Sequence, residues 1–206
     1  MTEFTGANEV RERLDLIESM VLEGRRGTER WGWMFVLWGV AYYVAIVWTS
    51  TARFGWAWPI TVIAAVIISA AIRRALSGQM QAPTAVGRAV RSMWVAFGIS
   101  VFLLMCALGI SQRLTDPHVV FAIIAGMLGM VNGASAMILR WKPQMACAVA
   151  WWAAAVACCY GNLLVFDAPV AFLAAVFLCQ IVFGAYCMML DTRKPRVQAQ
   201  GMSSHA

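Results

Sequence analysis

The feature that most constrains this chain is a series of six apolar segments, each near the length that crosses a bilayer. They cover residues 31–50, 54–72, 92–111, 117–139, 144–163 and 169–190. A helix rises about 1.5 Å per residue, so each segment approaches the roughly 20 residues that span a hydrocarbon core. The chain is 62% hydrophobic and 13% charged, outside the usual composition of soluble domains. We therefore predict an all-α polytopic membrane protein of six transmembrane helices arranged as three hairpins.

The basic residues between these segments predict the orientation in the membrane. Of the 16 lysines and arginines, only Arg53 and Arg113 fall on one predicted side, and all the others fall on the opposite side. Cytoplasmic loops carry such an excess of positive charge. The pattern predicts a cytoplasmic helix in residues 1–30, a transmembrane domain in residues 31–192 and a disordered cytoplasmic tail in residues 193–206. Because the basic residues occur in short clusters at segment ends, nucleic-acid binding is not expected.

An amphipathic helix is predicted ahead of the first span, from Asn8 to Gly24, with Asn8 as its cap. Four apolar residues recur at spacings of 4, 3 and 4 and form one narrow seam: Val10, Leu14, Ile17 and Val21. Residues 9–23 contain five acids and two arginines, whereas helices that lie on anionic lipid are rich in basic residues. The seam is therefore expected to pack on protein, either its own membrane domain, which is favoured, or a partner or second copy.

Two local patterns predict helix starts and helix packing. Asp116-Pro117 and Asp167-Ala168-Pro169 place an acid at a capping position and proline in the first turn. Small residues form one face of the fourth segment, including Gly129 and Gly133, and another of the fifth. Such faces let helices approach closely in lipid, and packing of the fourth segment on the fifth is favoured over homodimerisation.

A set of polar and aromatic residues is predicted to lie inside the membrane. Trp38, Ser100, Asn132 and Trp151 are each seven or eight residues from the cytoplasmic ends of their segments, and Gln180 is near the middle of the sixth. One interpretation is a polar pocket that opens toward the cytoplasm. The favoured one is a set of interhelical hydrogen bonds, because lipid cannot satisfy indole and amide groups.

Catalytic and cofactor chemistry is not predicted. The six segments contain no Asp, Glu, Lys or Arg, so they lack groups for proton coupling or a Schiff base. The six cysteines lie in apolar segments without clustered histidines, so neither disulfides nor a metal site is expected. An enzyme would have to use Arg113, Asp116 and His118 on the outer side, a group better explained as a helix cap beside a histidine.

The opening of the chain resembles a group of bacterial proteins. Leu14, Ile17, Met20 and Arg25, followed by the WGWMFVLWG stretch of residues 31–39, resemble small uncharacterised multi-span proteins with an amphipathic helix before an "LWG" first span. The resemblance implies a bacterial inner membrane. It implies no activity and no functional residue.

Together these observations predict a non-catalytic interaction or regulatory component of the inner membrane. The partner-binding residues would be Val10, Leu14, Ile17 and Val21. The alternative is a small oligomeric transporter or channel for a neutral or weakly polar solute, lined by the intramembrane polar residues. An enzyme is the least favoured function.

Overall fold

The computed structural model describes residues 2–52, 57–76, 85–110, 116–160 and 168–192, and the regular elements in these ranges are all helical. The helices are α1 (Thr2–Arg30), α2 (Gly32–Ala52), α3 (Ala57–Leu76), α4 (Ala85–Ile110), α5 (Pro117–Leu139), α6 (Lys142–Cys159) and α7 (Ala168–Val176). α7 continues through a π-helical segment (Phe177–Val182) into a helical stretch at residues 183–192. We call this continuous element the last span.

Five of the described helices are long and apolar enough to cross a membrane. They contain the stretches Gly32–Thr51, Ala57–Leu76, Ala85–Leu108, His118–Leu139 and Pro169–Thr192. The fifth predicted segment, residues 144–163, corresponds to α6, which has 18 residues and begins with Lys142, Pro143 and Gln144. These three residues lower its mean hydropathy, and residues 161–163 of the predicted segment lie outside the described residues. The fold class is thus a helical membrane protein with five clear candidate spans.

The first helix is longer than predicted. α1 begins at Thr2 rather than Asn8, so Asn8 lies inside the helix and does not cap it. No proline interrupts residues 2–7, and the helix also continues past Gly24 to Arg30, with Trp31 as the turn before α2. Hydrophobic periodicity therefore predicts the amphipathic part of α1 correctly, but it does not indicate where the helix begins and ends.

The predicted start of α5 is confirmed. The Asp116 carboxylate accepts a hydrogen bond from the backbone N–H of His118 at 2.8 Å, and Pro117 is the first helical residue. This arrangement satisfies one of the free N–H groups at a helix start. At the other end, Arg140 adopts a left-handed conformation with φ 48° and ends the helix. The second predicted cap, Asp167, lies outside the described residues.

The core lies between α5, α6, the last span and one face of α2. Gly129 and Gly133 of α5 lie against the indole ring of Trp152 on α6, and a Cβ atom on Gly133 would be 3.5 Å from the Cβ of Ala148. The small-residue face of α5 thus packs on α6, as the sequence favoured. α3 packs on α2, and α4 packs on α5 and α1. Both α3 and α4 expose most of their apolar surface, as helices that face lipid do.

α2 and the last span approach each other through glycines. A Cβ atom on Gly32 would lie 2.7 Å from the Gly184 carbonyl oxygen, and one on Gly184 would lie 2.8 Å from the Gly32 carbonyl oxygen. Two turns along α2, a Cβ atom on Gly39 would be 2.9 Å from the Cβ of Gln180 in the π-helical segment. Gly32 and Gly39, the two glycines of the WGWMFVLWG stretch, are therefore contact points for the last span.

Candidate functional site

The C-terminal part of α1 is held tightly against the membrane domain. Gly24 is buried, and a Cβ atom there would lie 2.8 Å from Leu139 Cδ2 and 3.0 Å from Val86 Cγ1. Glu29, one turn further, is also buried, at 7% exposure. α1 therefore contacts the start of α4 and the end of α5 at Gly24, and it is fixed at this end.

Arg25 reinforces this attachment by binding the end of α5. Its Nε donates a hydrogen bond to the Leu139 carbonyl oxygen at 2.7 Å, and its Nη2 donates to the carbonyl oxygen of Arg140. The last carbonyls of a helix lack intrahelical partners and carry partial negative charge, so a guanidinium is a favourable donor to them. Arg25 thus connects α1 to α5 across 114 positions of sequence.

The N-terminal part of the same helix carries an exposed apolar surface. All residues from Arg11 to Ser19 are exposed, and the side chains of Leu14 and Ile17 are each 58% exposed. Val21 is half-buried, and the side chain of Val10 lies outside the described residues. The favoured expectation, that the seam packs on its own membrane domain, is therefore wrong for Leu14 and Ile17. The docked end of α1 stops short of them.

A second candidate site is a group of buried polar side chains in the core. Asn132, Ser135, Gln144, Trp151 and Gln180 are each at most 3% exposed. Within the described part of the chain, Asn132 Oδ1, Ser135 Oγ, both amide atoms of Gln144, Trp151 Nε1 and Gln180 Oε1 have no hydrogen-bond partner. An unpaired buried polar group costs about 1–3 kcal/mol. We call these five residues the polar core.

The polar core joins three neighbouring elements. Asn132 and Ser135 are three residues apart on one face of α5, and Gln144 and Trp151 are seven apart on one face of α6. Cys147 lies between the latter two on that face, and its carbonyl oxygen accepts a hydrogen bond from Cys179 Sγ at 3.5 Å. The α6 face with Gln144 and Trp151 is therefore directed toward the last span at Cys179, whereas the Cβ of Gln180 lies against Gly39 of α2.

The residues predicted from depth alone divide into two groups. Asn132, Trp151 and Gln180 are buried in the core, with Asn132 Nδ2 donating to the Leu128 carbonyl oxygen at 2.8 Å. Trp38 is half-buried, and its ring centroid is 6.4 Å from that of Tyr42. Ser100 is exposed on α4 and does not reach the others. Depth along a helix does not specify the direction around it, which explains the difference.

Sequence reasoning missed two members of the polar core. Its segment places Gln144 at the boundary of a span, but the side chain is 0% exposed in the structure, where α6 packs extensively against α5. Ser135 follows Asn132 by three residues, so a test for polar residues on one helical face would have found it.

Metal-ligating side chains do not cluster in the described residues. No group of three or more His, Cys, Asp or Glu side chains in these ranges could hold a metal ion. Asp116 is exposed and serves as the α5 cap, and Arg113 lies outside the described residues. The chemical groups of the polar core are neutral amides, a hydroxyl and an indole, which can form hydrogen bonds with a polar molecule.

No protein-family model matches this chain, and no curated protein or solved structure matches it.

Proposed function

We propose that this protein is a non-catalytic membrane component that binds or regulates another protein through α1. The observation that carries the proposal is the exposure of Leu14 and Ile17 on a helix whose other end is fixed by Gly24 and Arg25. An amphipathic helix of this kind is a common way to engage a groove or another helix. The apolar seam favours a protein partner that presents an apolar contact surface of its own.

The proposed setting is a bacterial inner membrane crossed six times, with both termini in the cytoplasm. α6 packs antiparallel on α5 along their common length, and its 18 residues extend about 27 Å, near the thickness of a hydrocarbon core. The basic residues support the orientation. They include Arg73 and Arg74 in the last turn of α3 and Lys142 at the start of α6.

Reporter fusions test this topology. Alkaline phosphatase is active only outside the cytoplasm, so we expect activity when it is inserted between Gln112 and Arg113 and no activity when it follows Thr192. A fluorescent protein that folds only in the cytoplasm should give the opposite pattern at both positions. Phosphatase activity at Thr192 would exclude six spans with both termini inside.

Partner capture tests the role of α1. In native membranes solubilised with mild detergent, the Leu14→Asp, Ile17→Asp double variant should lose the proteins that co-purify with the wild type. A charge placed in an apolar contact leaves that charge unpaired and typically costs a few kcal/mol. Leu16→Asp is the matched control, because Leu16 is 57% exposed but lies outside the seam. Identical partners for the wild type and the double variant would contradict the proposal.

A transporter or channel for a neutral or weakly polar solute is the second candidate. The observation that favours it is the polar core, whose members present unpaired hydrogen-bonding atoms inside the bundle. Discontinuous or irregular helices often form such sites in transporters, and Gln180 lies in a π-helical segment. Solute flux in proteoliposomes at the level of empty vesicles, across a broad panel of sugars, polyols and amides, would count against it.

A further inference from the structure

We infer that the exposed seam of α1 pairs with the same helix of a second copy of this chain, as a short parallel two-stranded coil. The inference rests on the proposed role of α1 as an interaction helix, and it assigns the occupant of Leu14 and Ile17. The arguments come from the continuity of the seam, the positions of the charges and the point at which α1 meets the membrane domain.

The heptad spacing of the seam continues along α1 into its contact with the membrane domain. Val10, Leu14, Ile17 and Val21 are followed by Gly24 and Thr28 at the spacing 4, 3, 4, 3, 4 of a coiled-coil heptad. At Gly24 this face is covered by Val86 and Leu139, whereas at Leu14 and Ile17 it is exposed. The pairing surface is therefore limited to residues 10–21, which extend about 17 Å.

The charges around the seam are compatible with a second copy in spite of the acidic character of α1. In the heptad that places Leu14 at position a and Ile17 at position d, the outward positions b, c and f hold four acids: Glu9, Glu12, Asp15 and Glu23. Three charged residues occupy the flanking positions e and g of this stretch: Arg11, Arg13 and Glu18. In a parallel dimer Arg13 at position g would face Glu18 at position e of the other copy, and the symmetry repeats this attraction on the other side, whereas Arg11 at position e would face Gly6.

Attachment to the membrane domain fixes which end of each helix is held. The C-terminal end of each α1 is bound to the start of α4 and the end of α5, so the two helices of a parallel pair would leave their membrane domains through the same end. A coil of less than two full heptads would not hold a dimer in solution, but confinement to a bilayer raises the effective concentration of the two helices.

Cysteine cross-linking of the full chain in native membranes tests the inference. Ile17→Cys and Leu14→Cys should each cross-link to a species of twice the monomer mass with a short bis-maleimide. The yield should be at least about fivefold above Leu16→Cys, because positions a and d of a parallel coil face their own equivalents. The unsubstituted chain gives the background from native cysteines, and mixing epitope-tagged copies shows whether both chains are this protein.

A charge exchange in the Ile17→Cys variant provides the second test. Arg13→Glu and Glu18→Arg should each lower the cross-linking yield by about threefold, and the double exchange should restore it. Equal yields at Leu14, Leu16 and Ile17, or no rescue by the double exchange, would overturn the second copy as occupant. Cross-linking at Leu14 and Ile17 to a different protein would overturn it as well, but would leave the proposed function of α1 standing.

Discussion

Replacing Gly184 by alanine is expected to destabilise the protein by about 1–3 kcal/mol, which lowers the midpoint of thermal unfolding by about 3–10 °C. The added methyl group would lie 2.8 Å from the Gly32 carbonyl oxygen and 3.0 Å from the Phe35 Cβ. Because the Gly32 carbonyl oxygen belongs to the backbone, it cannot rotate away from the new methyl group as a side chain could. α2 must therefore separate from the last span. Thermal unfolding in detergent, followed by loss of monodisperse protein, measures the effect.

The matched control is Gly126→Ala, which adds the same methyl group to another helix in the membrane domain. Among the described residues, no atom beyond the adjoining backbone of α5 lies within 4 Å of a Cβ at Gly126, so this variant should match the wild type or gain up to about 1 kcal/mol from higher helix propensity. If both variants unfolded at the same temperature, the close approach of Gly32 and Gly184 would be excluded. The same comparison made with Gly32→Ala probes the contact from its other side.

Features set by neighbouring residues were predictable from the sequence. The predicted segment 117–139 has the same bounds as α5, because Asp116 and Pro117 define its start and the charged residue Arg140 follows its end. The packing of Gly129 and Gly133 on α6 was likewise expected from small residues at helical spacing. In both cases the relevant contacts lie within one helix or between adjacent helices.

Features that depend on contacts between distant segments were not predictable. The periodicity of Leu14 and Ile17 identifies an apolar seam, but it cannot show that Gly24 is covered while the preceding turns are exposed. The hydrogen bonds from Arg25 to the carbonyl oxygens of Leu139 and Arg140 join residues more than a hundred positions apart, and no local pattern indicates them.

The irregular last span is a third case. Gln180 was placed near mid-membrane from its position in the chain, but the π-helical segment around it was not foreseen. A π-helix adds a residue to the turn and rotates the following side chains relative to a regular helix. The direction of Gln180 toward Gly39 could therefore not be derived from 3.6-residue periodicity.

Replacing Gln144 by methionine is expected to raise the midpoint of unfolding. Both amide atoms of Gln144 are buried without a partner among the described residues, at a cost of about 1–3 kcal/mol for each group. Methionine has a similar shape and removes both groups, so we expect a gain of several degrees. Gln144→Glu should have the opposite effect, because it buries an acidic group and the described part of the chain buries no basic residue. Asn132→Leu should gain less than Gln144→Met, because the Asn132 amide nitrogen already donates to the Leu128 carbonyl oxygen.

The same variant separates the two interpretations of the polar core. If these side chains only pack the helices, Gln144→Met is more stable than the wild type, and no solute changes either midpoint. If they bind a polar solute, that solute raises the midpoint of the wild type but not of Gln144→Met, because a ligand stabilises only the protein that binds it. A lower midpoint for Gln144→Met in the absence of any solute would contradict the unpaired state of its amide. Gln144 would then have hydrogen bonds in the folded protein that its burial against α5 does not reveal.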